Sequence, residues 1–299
     1  MLSEPARRST SAIPVRASDL PSFETMEPRV LLSGAPGAGL PFPEAPAGAP
    51  VLANRYLLDI PEDASEDGFW FGRGWTVDPL GGQILVTRAV QFLDDARNPV
   101  KVAVSNGEAL IQTSDAGGGR IESIELHPAN GRCTLSIIAP LGTTVDAVSV
   151  LDSALAIVTR GVTLDGTLTS EGTLGKLVLG DVAAGSAISL HTDPTIVAAD
   201  RAALVAQFGQ ITDATVTVTD LPILSLTTTA WNGGALSAPW IGRLISRNAL
   251  NAAVTTEGAD ARGFSIAAVT AGDAGGTTLD VPGLIGQVRV SQWHSGSLQ

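Results

Sequence analysis

From Ile121 onward one six-residue phrase keeps returning: apolar, two variable residues, apolar, variable, apolar. It reads Ile121-Glu-Ser-Ile124-Glu-Leu126, Val145-Asp-Ala-Val148-Ser-Val150, Leu174-Gly-Lys-Leu177-Val-Leu179 and Ile285-Gly-Gln-Val288-Arg-Val290. A weaker copy, Ile241-Gly-Arg-Leu244-Ile-Ser246, ends in Ser, and Ile211-Thr-Asp-Ala214-Thr-Val216 carries Ala in the middle. The last two apolar positions alternate, as one face of a strand requires. The first stands across a bend, where the Gly of "LGKL", "IGRL" and "IGQV" supplies dihedrals closed to other residues. A second alternating pair follows most copies, as in Leu135-Ser-Ile137, Leu155-Ala-Ile157 and Ile188-Ser-Leu190. A unit of roughly 20–30 residues with insertions is the mark of a solenoid. The pattern predicts an all-β fold, a parallel β-helix. The competing architecture is a β-sandwich, which also uses short strands but does not require the same phrase to return.

Three stretches depart from the phrase. Asp193 as N-cap and Pro194 at the first helical position open "TIVAADRAALVAQF", with Val197, Leu204, Val205 and Phe208 on one side. This spacing predicts one short inserted helix over 193–208, with Asp200 and Arg201 towards water. Residues 51–89 gather Phe69, Trp70, Phe71 and Trp75 in the string "GFWFGRGW". They read as a strand-like cap on the hydrophobic end of the stack; the functional alternative is an aromatic platform for a sugar ring. Residues 1–50 are dense in Pro, Ala, Gly and Ser, with no period of 2 or 3.6. Such a segment buries too little apolar surface to offset chain entropy, so a disordered tether is expected. The expected organisation is a tail over 1–50, a cap over 51–89 and solenoid repeats over 90–299.

Within the tail, the string "FETMEPRVLLSG" at 23–34 contains Glu27, Pro28, Arg29, Leu31, Leu32 and Ser33. It resembles the LEPR-xLL motif of large exported and surface-associated proteins of planctomycete bacteria, with Met26 where Leu is usual. The resemblance implies a sorting role for these six residues and an extracellular or cell-surface address. Arg7, Arg8 and Arg16 are not followed by an apolar stretch of 7–15 residues, so no standard signal peptide is expected. A wider segment, from Val90 to about Ser189, resembles a repeat of the same surface proteins through Phe92, Asp94, Val100, Val102 and "LTSEGTLGKLVLGDV".

Composition acts mainly by exclusion. With 44% hydrophobic and 16% charged residues the chain is not of the disordered class, and no run approaches the roughly 18 apolar residues of a membrane span. A formal charge of −12 speaks against a nucleic-acid partner, which needs clustered Lys and Arg. The acidic surface is also expected to repel polyuronates. Lys101 and Lys176 are the only lysines; the remaining cations are Arg, read as a trace of codon usage. The single cysteine, Cys133, has no partner for a disulfide and no Cys/His company for zinc, and is expected as a buried thiol.

Candidate chemistry is sparse. The segment matching a family calcium phrase reads Asp94-Asp95-Ala96-Arg97-Asn98, with Ala for an oxygen ligand and a cation for the turn Gly, so a polar turn is expected and no metal. No GxSxG, HExxH or P-loop is present, and His127, His191 and His294 are far apart, each beside turn residues. Asp165, Glu171 and Asp181 with Lys176 are the one set that would suit a polysaccharide-cleaving face if they converged. No catalytic residue and no cofactor is assigned. The expected function is a non-enzymatic, exported structural or interaction module. A carbohydrate-binding or polysaccharide-cleaving β-helix is the alternative. Cell-envelope or polysaccharide contact and self-association through the C-terminal end of the stack are the expected partnerships.

Overall fold

The structure is a computed structural model that describes residues 75–78, 82–115, 118–192 and 203–299. The expected tail over 1–50, its motif residues and the string Phe69–Phe71 lie outside these residues. The described chain is the parallel β-helix that the phrase predicts, with about eight turns and no helix.

The stack begins under antiparallel strands. β1 (Trp75–Asp78) pairs with β2 (Gln83–Val86), β2 with β5 (Gly107–Asp115), and β5 with β6 (Gly118–Pro128). β3 (Ala89–Leu93) and β4 (Pro99–Ser105) form a hairpin. β4 lies antiparallel on the first half of β7 (Thr134–Val150), and β6 lies parallel on its second half. These strands pair the backbone groups that a bare first turn would leave open. Parallel stacking starts with Ile121 opposite Val145, the first residues of the first two copies of the phrase.

Each later turn has two limbs. The first half of β8 (Ala154–Ser170) pairs with β9 (Leu174–Val178) and the second half with β10 (Ala187–Leu190). β11 (Leu204–Val218), β12 (Ile223–Ala238), β13 (Ile241–Thr256), β14 (Phe264–Asp280) and β15 (Leu284–Leu298) each run through both limbs and stack in parallel. We call the first halves limb A and the second halves limb B. Leu135, Ile157, Leu177, Ala206, Leu226 and Leu244 stack down limb A. Val148, Leu168, Ile188, Val216, Leu236 and Val254 stack down limb B. All twelve belong to one buried apolar cluster.

The phrase serves both limbs. Its copies at Ile121, Val145 and Ile211 lie on limb B or on β6 beneath it, and those at Leu174, Ile241 and Ile285 on limb A. Their sequence spacing is uneven because it mixes two series. Within one series most neighbours keep close to one interval, as Ser149 and Thr169 do on limb B at 20 residues, and the step lengthens between Ile188 and Val216.

Between the limbs the chain turns, and the ladder loses register between Ile138 and Thr143 in β7. Gly161 stands at the corresponding bend of β8 with φ +66°, and a Cβ there would run into the Ala139 carbonyl oxygen of the turn below. Inward hydroxyls supply the backbone groups freed at these bends. Thr228 Oγ1 lies 2.7 Å from Gly209 O and 2.9 Å from Ala230 O, and Ser246 Oγ donates to Ala249 O at 2.5 Å. Ser246, opposite Thr228, is the residue that ends the weaker copy of the phrase.

Two expectations change. The predicted helix over 193–208 lies outside the described residues up to 202, and from Leu204 the chain is strand β11. Leu204, Ala206 and Phe208 point inward at period 2, and Val205 and Gln207 point out. Leu204 and Phe208, four apart, satisfy a helical and a strand period alike, and the parallel ladders to β9 and β12 decide for the strand. Leu155, expected in the core beside Ile157, is exposed. The Leu155 and Ala156 amides both reach the Cys133 carbonyl, at 2.8 and 3.3 Å, in a bulge that turns Leu155 outward.

The connection from β13 to β14 is organised by Asp260. Its carboxylate accepts from the Phe264 amide at 3.0 Å, the Arg262 amide at 2.8 Å and Arg262 Nε and Nη2 at 3.1 and 2.9 Å. The Phe264 amide, followed by the Arg262 side chain, holds this carboxyl below the usual Asp range. A carboxyl depressed in the folded state contributes stability that is present above the unfolded pKa, about 3.9, and lost as pH falls through the folded value. Hydrogen exchange is therefore expected to show Arg262 and Phe264 amide protection that persists at the ordinary carboxyl pKa and is lost only as pH falls further, and that is lost already at neutral pH in Asp260→Ala. Protection unchanged in both cases would refute this role.

Candidate functional site

The residues singled out by sequence do not converge. The Asp94 turn closes on itself: Asp94 Oδ1 accepts from the Asn98 amide at 2.7 Å, the Arg97 amide donates to Asp94 O at 2.9 Å, and Arg97 takes φ +61°. Asp94 is buried and spends its carboxylate on this turn. Asp165 Oδ2 lies 3.8 Å from Arg120 Nη2, which binds Asp146 at 2.6 Å. That hydrogen bond to Asp146, and then its charge, raise the Arg120 pKa. Asp181 accepts from the Gln210 amide at 2.7 Å, and Glu171 is exposed in the connection after β8. His127 meets Glu125 at 2.7 Å, His294 meets Asp273 at 3.4 Å, and His191 is exposed elsewhere. Among the described residues no three His, Cys, Asp or Glu are grouped to hold a metal.

Cys133 is buried just before β7, and burial pushes its thiol pKa up. Thiolate is the reactive form, so the folded protein is expected to resist aromatic disulfide reagents and to titrate one thiol only after unfolding. Rapid labelling of the native protein would contradict this placement.

What the fold does assemble is a division of charge. Asp146, Asp165, Asp213, Asp273 and Asp280 all fall on limb B, as do Glu122 and Glu125 on β6 beneath it. The strand segments of limb A, with β4 that covers their first turn, contain no Asp or Glu. They carry Lys101, Arg160, Lys176, Arg243, Arg247 and Arg289, every one exposed. Strand alternation explains the exposure. Leu177, Leu244 and Val288 are stacked on the core side, so Lys176, Arg243 and Arg289 one position away face out. None of the six has an ion-pair partner among the described residues. With the Gln287 amide oxygen turned towards it, Arg289 donates from Nε at 3.0 Å and Nη2 at 3.1 Å.

A shallow open groove of about 380 Å³ crosses this face. Arg160 and Lys176 flank it, Val158 and Val178 pave it, and Gln207 and Thr229 close its far side. At the end of the groove Gly209 has no room for a side chain, since a Cβ there would run into Asp181 Oδ1, whereas the neighbouring turn carries Thr229. Asp165, Glu171 and Asp181 do not line it, although the Asp181 carboxylate abuts Gly209 at its edge, and none of the three forms an ion pair with Lys176. Sequence reasoning missed the array because its members are scattered from 101 to 289. The available signal was that each sits beside an inward apolar position of a repeat strand.

Fold and surface together define a β-solenoid with one cationic and one acidic strand face. No family model matches the chain, and no match was found among curated proteins or solved structures. Among the described residues no helix is long and apolar enough to cross a membrane.

Proposed function

We propose that this chain is a non-enzymatic β-solenoid of the cell exterior that serves as a structural and interaction module. One observation carries the reading: about eight rungs hold outward side chains in fixed rows, while Asp94, Asp165 and Asp181 serve backbone or Arg partners instead of one groove. A rigid array of unpaired side chains suits recognition of an extended partner; hydrolysis needs a positioned acid and base. The exterior address rests on Glu27, Pro28, Arg29, Leu31, Leu32 and Ser33 and their likeness to the LEPR-xLL motif. The test is surface labelling of intact cells, which should reach the full chain and fail when Arg29, Leu31 and Leu32 are replaced by Ala. Full protection of the wild-type chain in intact cells would overturn the address. Release of reducing ends from any of a panel of polysaccharides would overturn the non-enzymatic assignment in favour of the cleaving alternative.

Self-association has its own observation. Among the described residues β15 pairs with β14 alone, and Leu284 and Leu298 are 60% and 53% exposed. An open strand edge with apolar side chains favours pairing with another. Light scattering should show mass rising with concentration, and Leu284→Lys with Leu298→Lys should abolish the rise. A concentration-independent monomer would sink this contact.

A further inference from the structure

We infer that the outer face of limb A is a binding surface for a linear anionic polysaccharide, laid along the stack. The inference rests on the reading of the chain as an interaction module and names its ligand. The charge of the whole chain, −12, hides the feature that matters: the strand segments of limb A, with β4, carry six exposed cations and no Asp or Glu, while Asp146, Asp165, Asp213, Asp273 and Asp280 lie on limb B. An unpaired cation row on an otherwise acidic protein is complementary to a polyanion on that side only.

The rows are arranged for a chain-like ligand. Arg160 and Lys176 flank the groove at one end, with Lys101 on the strand below the first turn of limb A. Arg243, Arg247 and Arg289 form the second cluster. The step from β9 to β13 runs through β11 and β12, three rungs or about 14 Å. Between the clusters the outward residues include Gln207, Ser225, Thr227 and Thr229, an amide and three hydroxyls that can exchange hydrogen bonds with sugar hydroxyls, beside the exposed Val205 and Leu224, which can meet the apolar face of a sugar ring. The spacing of neighbouring rungs, about 4.8 Å, is close to the length of one pyranose unit, so successive sugars meet successive rungs.

Other polyanions fit less well. Single-stranded nucleic acid needs a run of aromatic platforms for its bases, and the strand segments of limb A offer one, the half-buried Phe264 with Arg262 over its ring, since Phe208 is buried. Duplex DNA, with its high charge density, would bring the acidic limb B within its field. A lipid surface would use the exposed apolar side chains of the same limb, Leu155, Val205 and Leu224, and vesicles are therefore one arm of the test.

The experiment uses the purified full chain with polygalacturonate, neutral dextran, duplex DNA and vesicles of phosphatidylcholine with phosphatidylglycerol, each by titration calorimetry. Polygalacturonate should bind and dextran should not. The affinity should fall about tenfold or more between 50 and 200 mM salt, as ion release from a polyanion requires. Arg160→Ser with Lys176→Gln should weaken binding at least tenfold, and Arg243→Ser with Arg247→Ser should do so independently. Arg120→Gln, a cation on limb B, should leave binding unchanged. Circular dichroism melts confirm that each variant is folded. No binding of polygalacturonate, equal loss with Arg120→Gln, or tighter binding to DNA or vesicles would overturn the proposal. Because binding is read on the purified chain and location on cells, the ligand and the address can fail separately.

Discussion

Replacing Trp231 with Ala should destabilise the solenoid by about 3–5 kcal/mol, the cost of removing a large buried aromatic and leaving its cavity. Trp231 is the largest fully buried side chain among the described residues. It sits in the limb B column between Ile211 and Leu250, one turn to either side. Its neighbours belong to strands already paired on both faces, so they cannot close over the gap without breaking ladders. The indole Nε1 has no hydrogen-bond partner, so the residue is held by packing alone. Trp231→Phe removes the unpaired donor with less volume, and should cost distinctly less than Trp231→Ala. Since each turn touches only its neighbours, the loss should first appear as faster hydrogen exchange in β11, β12 and β13. Denaturant unfolding followed by circular dichroism measures the difference. Equal costs for Phe and Ala would show that packing is not what Trp231 supplies.

The second large effect is expected at a bend. Gly161→Ala combines two penalties: a left-handed dihedral, worth about 1–2 kcal/mol for a residue with a Cβ, and a collision with the Ala139 carbonyl oxygen. That oxygen is backbone of the neighbouring turn, so relief means separating two rungs. A loss of about 2 kcal/mol or more is expected. Gly258→Ala is the control, since its added Cβ would find Pro239 O at 3.6 Å, ordinary contact distance. It should fall within about 1 kcal/mol of wild type, on either side. If both substitutions behaved alike, the bend would not depend on glycine.

The architecture was legible in the sequence because inward apolar residues stack on inward apolar residues: Val148 on Leu168, Leu168 on Ile188. What the sequence did not separate was the two limbs, since Val145 and Leu174 open the same phrase and lie on opposite halves of the turn. The error at Leu204 and Phe208 has the same root, a spacing of four that both periods accept. Ser246 looked like a fault in the phrase until its hydroxyl was seen to cap a bend. The candidate site was not legible at all. Arg160 and Arg247 are far apart along the chain, and they share a face only once the rung register is known. Asp165 and Asp181 illustrate the converse, close in sequence and committed to different partners.

The regular step of the stack makes the length of the protein a quantised variable. Where neighbours such as Ser149 and Thr169 are 20 residues apart, duplicating or deleting one such period shifts core and outward rows together. Each duplication would extend the cationic face by one strand spacing, about 4.8 Å, and leave the remaining rungs in register. A gene that grows or shrinks by whole periods would thereby act as a ruler, setting how many outward rungs one molecule presents.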